Sequence, residues 1–169
     1  MRRSGYPQGK LPNVVFFLTA LLVVAADQLS KIWIRSNLAA GESLPETGLF
    51  RLTYVHNTGA AFGLFPDQSF PLTIVALIGI VVLLFFALFI YRRFPFLDSR
   101  LGKLALGLLL GGTVGNLIDR LRFGYVTDFI DIGIWPAFNI ADSAIVVGVI
   151  LFAYSLLSLT RAKNTDSSV

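Results

Sequence analysis

The chain has 169 residues, 55% hydrophobic and 14% charged, with a net charge of +4 and no cysteine. That composition excludes an ordinary soluble domain, and the missing cysteines exclude disulfides, thiolate nucleophiles and Cys-ligated metals. A single histidine, His56, rules out His-rich zinc sites and the H-E-x-x-H arrangement.

Residues 1–12 form a polar tail with Arg2, Arg3 and Lys10. Residues 13–34 follow as a candidate membrane span, apolar except for Asp27, Gln28, Lys31 and a few small polar residues. Asp27 and Lys31 stand four apart in the favourable acid-first order, so an intrahelical ion pair is expected, with Lys31 reaching outward to the interface. The basic start, the apolar run 14–26 and the small pair Ala25-Ala26 also fit a cleavable secretory signal. Ile32, Trp33 and Ile34 continue the apolar pattern past that point and favour a retained helix.

Residues 35–69 are the longest loop. Within it, L-F-R-L-T-Y-V-H-N (49–57) is rich in β-branched and aromatic residues and partly alternates, placing Phe50, Leu52 and Tyr54 on one face. This predicts a short strand or hairpin on the membrane surface, with His56 as a surface side chain. The tight turn Asn57-Thr58-Gly59 and an apolar patch from Ala60 to Phe65 come next. Residues 70–91 carry no charge and, at about 33 Å as a helix, are long enough to cross a bilayer core.

The short loop 92–103 holds Arg92, Arg93, Arg100 and Lys103. The third span, about 103–120, contains Gly107, Gly111 and Gly115 at four-residue steps with Gly112 beside them, and Ala141, Ala144 and Gly148 make a similar small face on the fourth. Small residues at such spacing let helices approach closely, so spans three and four should touch, bringing Asn116 near Asn139 and Asp142. An intermolecular role for the glycines is the alternative. Asp119-Arg120 reads as interfacial anchoring. The loop 121–137 carries Asp128 in the extended-looking V-T-D-F-I-D-I, with Asp131 as its competitor for any role. In the fourth span, about 138–160, Asn139 suits an N-cap and Asp142 the first turn, a pair that imitates a capping box. A polar tail, 161–169, ends the chain.

Nine of the fourteen Lys and Arg lie in the N-terminal tail, the 92–103 loop and the C-terminal tail, which predicts that both termini and that loop are cytoplasmic. The positive charge is thereby a topology signal, and no nucleic-acid partner is needed to explain it. Because chain direction alternates, the polar residues late in spans one and three and early in span four should converge at the outer end. Each ionisable group at such depth costs roughly 2.5–3.5 kcal/mol on insertion scales, so the cluster reads as a site. Two carboxylates in close approach share a proton, one then serving as base towards water and the other as acid, which is the aspartic-peptidase arrangement. A Ser-Lys hydrolase is weaker, because Ser30 points about 100° round the helix from Lys31 and no local pattern ties Ser143 to it. A proton-coupled carrier would place its charges nearer the midplane.

The strings D-Q-L-S-K (27–31), N-T-G-A-A-F (57–62), G-N-L-I-D-R (115–120), V-T-D-F (126–129) and F-N-I-A-D-S (138–143) together resemble the bacterial lipoprotein signal peptidases (signal peptidase II). The resemblance runs in order from about residue 13 to 160. It implies an all-α membrane protein of four transmembrane helices with a small periplasmic β-cradle, about 40–66, in one domain of the bacterial inner membrane. The implied activity is removal of the signal peptide from prolipoproteins, cutting just before a diacylglyceryl-modified cysteine. By motif position Asp128 and Asp142 match the catalytic pair. Asp27, Lys31, Asn57, Asn116, Arg120 and Asn139, with Gly59 in the N-T-G turn, match residues that support the site or hold substrate. The resemblance implies no metal or other cofactor, inhibition by the cyclic peptide globomycin, membrane lipid as surroundings and a monomer. The stretch 129–137 is short, which leaves open how far a loop there covers the site.

Overall fold

A computed structural model of the chain describes residues 11–59, 68–90 and 99–166. The elements are α1 (Leu11–Asn37), β1 (Ser43–Leu44), β2 (Arg51–Asn57), α2 (Ser69–Phe85, continued by the π-helical turn Phe86–Ile90), α3 (Arg100–Phe123), β3 (Val126–Asp131) and α4 (Ile140–Asp166). All four helices contain a stretch long and apolar enough to cross a membrane. The expected patch from Ala60 to Phe65 and most of the basic 92–103 loop lie outside the described residues.

Burial here runs opposite to that of a soluble protein. Lipid-facing side chains such as Leu21, Val75, Ile78 and Ile150 are exposed, whereas Asp27, Lys31, Asp119 and Asn139 have no exposure at all. With hydrocarbon outside, the bundle interior is the place where polar groups find partners.

Helix α3 is the centre of the bundle, and its glycines explain how. A Cβ on Gly111 would stand 2.7 Å from Val23 Cβ, and one on Gly115 would stand 2.6 Å from Asp27 Oδ2. A Cβ on Gly112 would strike the Ala141 carbonyl and Ile145 of α4. Spans three and four therefore touch as expected, but the Gly107–Gly111–Gly115 row faces α1. Gly112 and, from α4, Gly148 make the close approach between α3 and α4. The chain supplies a partner to each small face from within itself.

An apolar cluster of Phe16, Ala20, Ala87, Leu106 and Leu110 joins α1, α2 and α3. Between Ser69 and Phe85 helix α2 buries no residue, consistent with its uniformly apolar sequence. A second cluster, Ile34, Leu38, Tyr54 and Phe129, seats the sheet on the other end of the bundle. The sheet is antiparallel in the order β1-β2-β3, with Val55 opposite Asp128 and His56 opposite Thr127. Leu52 and Tyr54 share the inward face as expected. Phe50 does not, since β2 begins at Arg51 and Phe50 is exposed.

Helix α3 stops at Gly124, whose φ of +78° is the left-handed conformation that glycine adopts without strain, its N–H bonding to the Arg120 carbonyl at 3.0 Å. The chain turns there into β3, so Asp128 follows directly from the end of α3.

Gly112→Val is expected to destabilise the detergent-solubilised protein by about 1–3 kcal/mol, the usual cost of overpacking. Gly79→Ala, where nothing lies within 4 Å of an added Cβ, should be silent. Thermal melting of the two variants checks this, and equal melting temperatures would contradict the packing account.

Candidate active site

Asp128 comes from β3 and Asp142 from the first turn of α4. Both oxygens of each accept hydrogen bonds from amide N–H groups. Asn139 Nδ2 donates to Asp128 Oδ1 at 2.6 Å and Asn57 Nδ2 to Asp128 Oδ2 at 2.8 Å. Asn116 Nδ2 donates to Asp142 Oδ1 at 2.7 Å, and the Asn139 backbone N–H donates to Asp142 Oδ2 at 3.2 Å. The Asp142 N–H returns to Asn139 Oδ1 at 2.9 Å. The capping box anticipated from the sequence is therefore real. The same Asn139 also reaches the second aspartate, so helix capping and site construction coincide in one residue.

Asn116 is aimed by Lys31. The ammonium donates to Asn116 Oδ1 at 2.9 Å, which leaves the amide nitrogen turned towards Asp142. Lys31 also pairs with Asp27 at 2.9 Å and Asp119 at 3.3 Å. The expected ion pair is present, but the expected outward reach is not. Lys31 is fully buried, because two carboxylates and an amide inside the bundle outcompete the interface. Asp27 does a second job, accepting the Ala141 N–H at 3.0 Å and so satisfying a free donor at the start of α4.

Asp119 corrects the sequence reading as well. It is not an interfacial anchor; it is fully buried and accepts from the Thr127 N–H at 2.9 Å. Gln28 Nε2 donates to Asp27 Oδ2 at 3.2 Å and to Asp119 Oδ1 at 3.3 Å. Arg35, which the sequence reading missed, donates to Thr127 Oγ1 at 2.8 Å and lies 3.4 Å from Asp119. A signal existed, since Asp27, Lys31 and Arg35 recur at four-residue steps on one helix face.

Asn57 Oδ1 accepts the Gly59 N–H at 2.9 Å, and Arg120 donates to the Gly59 carbonyl at 3.1 Å. The turn after β2 is thus pinned beside Asp128. All nine residues singled out as catalytic or supporting belong to one hydrogen-bonded network. Asp131, the competitor, is occupied elsewhere: it takes Arg51 at 2.5 Å, Thr53 at 3.0 Å and the Gly133 N–H at 2.8 Å. The Gly133 N–H above all, with Thr53 and Arg51, holds its carboxyl below the usual range. His56 is exposed and stacks on Tyr125 at 3.9 Å between ring centroids.

Burial first, and the neighbouring Asp142 charge second, push Asp128 up to about 7 against the opposing pull of the Asn57 and Asn139 hydrogen bonds. Two clefts flank the pair. One of about 230 Å³ is lined by Val55, Asn57, Gly59, Asp128 and Pro136, and one of about 370 Å³ by Trp135, Phe138, Asp142, Val146 and Val147. Neither serine of the Ser-Lys alternative bonds to Lys31. Ser143 Oγ donates to the Asn139 carbonyl and Ser30 Oγ to the Asp27 carbonyl, while Lys31 is held by its carboxylates. Among the described residues no three His, Asp or Glu side chains converge as a metal-binding group.

Residues 19–158 match the family model of signal peptidase (SPase) II. A lipoprotein signal peptidase of Dehalococcoides mccartyi is 54% identical over 158 residues, covering 93% of this chain and 98% of the relative. One from Moorella thermoacetica is 52% identical over 143 residues, covering 84% and 92%. A solved bacterial membrane enzyme superposes with a TM-score of 0.78 at 33% identity, covering 88% of this chain and 90% of the other.

The Asp131 clasp contributes to folding above the ordinary carboxylate pKa of about 3.9 and is lost as pH falls through its lowered value. Amide exchange in β2, corrected for intrinsic rates, is expected to be slow at pH 7 and to quicken in Asp131→Asn. Unchanged protection in that variant would show that the clasp does not hold the sheet.

Proposed function

The chain belongs to the signal peptidase II family, and from that premise we propose that it is an aspartyl endopeptidase that removes the signal peptide from diacylglyceryl-modified prolipoproteins. Cleavage falls just before the lipidated cysteine. The observation that carries this reading is the meeting of Asp128, from strand β3, and Asp142, from the first turn of α4, around Asn139, with a cleft beside each.

One proton is shared by the coupled pair. The ionised carboxylate takes a proton from water as the water oxygen bonds to the scissile carbonyl carbon, while the other acid protonates the carbonyl oxygen. Collapse breaks the C–N bond, and a proton passes to the leaving amine. Six supporting residues have distinct tasks. Asn57, Asn116 and Asn139 hold the carboxylates by their amides, Lys31 aims Asn116, and Asp27 fastens α4. Arg120 fixes Gly59, and its Nε, buried without a hydrogen-bond partner among the described residues, leaves a donor for a substrate carbonyl.

The signal helix docks laterally against the bundle with its lipid chains in the outer leaflet, and the strand β2 with the 57–59 turn grips the backbone beside the scissile bond. The distribution of Lys and Arg supports cytoplasmic termini and a site on the periplasmic side. The protein acts as a monomer, and globomycin competes for the same site.

Incubation of the purified protein with a diacylglyceryl-modified prolipoprotein should yield a globomycin-sensitive mass shift. Asp128→Asn and Asp142→Asn should each lower kcat by about 10²–10⁴-fold, the range for losing one acid or base. Near-normal turnover by both variants would refute the pair. With one proton required, activity should also fall as pH rises through about 7, where Asp128 ionises. A rate that climbs steadily to pH 9 would contradict that assignment.

A further inference from the structure

Asp128 is only as well placed as the strand that carries it, and its neighbour Thr127 is a polar point where that strand is fastened to the helices, beside the apolar packing of Phe129. Thr127 is fully buried, and all three of its polar groups are used. Its N–H goes to Asp119 of α3 at 2.9 Å, its carbonyl accepts Asn139 Nδ2 at 3.4 Å, and its hydroxyl accepts Arg35 Nη1 of α1 at 2.8 Å. β2, the strand partner of β3, has its own holds on the bundle through Tyr54, packed against Ile34 and Leu38, and through Arg120 on Gly59, but at Thr127 it faces only His56.

We propose that Arg35 is a positioning residue for Asp128, acting through Thr127. An arginine suits the place for three reasons. Its Nη1 meets the Thr127 hydroxyl and the Asp119 carboxylate together, its guanidinium carbon lies 4.6 Å from the centre of the Phe123 ring, and its charge helps offset Asp119. Together Lys31 and Arg35 balance Asp27 and Asp119, so the cluster beneath the pair is neutral as a whole. Arg35 touches neither the candidate aspartates nor the clefts, so its effect on turnover must pass through the strand.

The inference rests on the peptidase reading, and the test separates the two. Arg35→Gln is expected to lower kcat by about 10–100-fold, the scale of a roughly 1 Å displacement of a catalytic group, with KM within about twofold. Thr127→Val, which keeps every charge but removes the hydroxyl, should give the same loss. The double variant should be no worse than either single one. Thr127→Ser should stay near wild type, and Arg35→Lys, which keeps the charge but not the planar guanidinium, should fall between. Unchanged kcat in Arg35→Gln, a loss confined to KM, or additive losses in the double variant would each overturn the proposal. Absence of wild-type turnover would remove the peptidase reading instead. Amide exchange at Asp128, expected to quicken in Arg35→Gln and Thr127→Val, would then decide the positional claim by itself.

Discussion

Burying charge inside a lipid-facing bundle is the constraint on which the rest of this structure depends. A carboxylate or ammonium taken out of water costs several kcal/mol unless it is paired and its remaining hydrogen-bonding sites are filled. The chain meets this with two acids and two bases interleaved on α1 and α3: Asp27, Lys31, Arg35 and Asp119, with Lys31 in contact with both carboxylates and Arg35 beside Asp119. Gln28 and Asn116 take up further donors and acceptors of the group. Breaking one pair would leave an uncompensated charge where nothing else can solvate it. The cluster is accordingly more a registration device than a source of net stability.

That device requires close helices, and the glycines of α3 provide them. Gly115 lies directly against Asp27, so the carboxylate reaches past α3 to the Ala141 N–H of α4. One side chain thereby fixes the relative position of three helices near the level where Asp142 enters the network. From there the chain of contacts runs Lys31 to Asn116 to Asp142, and Asn116 to Asn139 to Asp128. Side-chain amides are well suited to these links, because each carries donors and an acceptor and transmits orientation without adding charge.

Much of this was legible in the residues. Four spans follow from hydropathy, the convergence of Asp27, Asn116, Asn139 and Asp142 follows from alternating chain direction, and the strand around Tyr54 follows from β-branched alternation. Asn139 and Asp142 announced their capping box by spacing alone. What could not be read was direction. Whether Lys31 turns in or out depends on Asp119, which lies far off in sequence, and the same contact converts Asp119 from an anchor into a buried partner. Spacing could not tell Asp128 from Asp131, since what distinguishes their surroundings is the contact of Asp131 with Arg51 and Thr53 on the neighbouring strand. The glycine row gave a close helix contact but not its partner, because periodicity describes one face and is silent on what meets it.

The central claim is that Asp128 ionises under the influence of a neighbouring Asp142 charge. Carboxyl ¹³C NMR of Asp-labelled protein across pH tests it most directly. The account predicts a step near pH 7 at Asp128 that moves down when Asp142 is replaced by Asn. Titration of Asp128 at the ordinary aspartate value of about 3.9, unmoved by that substitution, would contradict it.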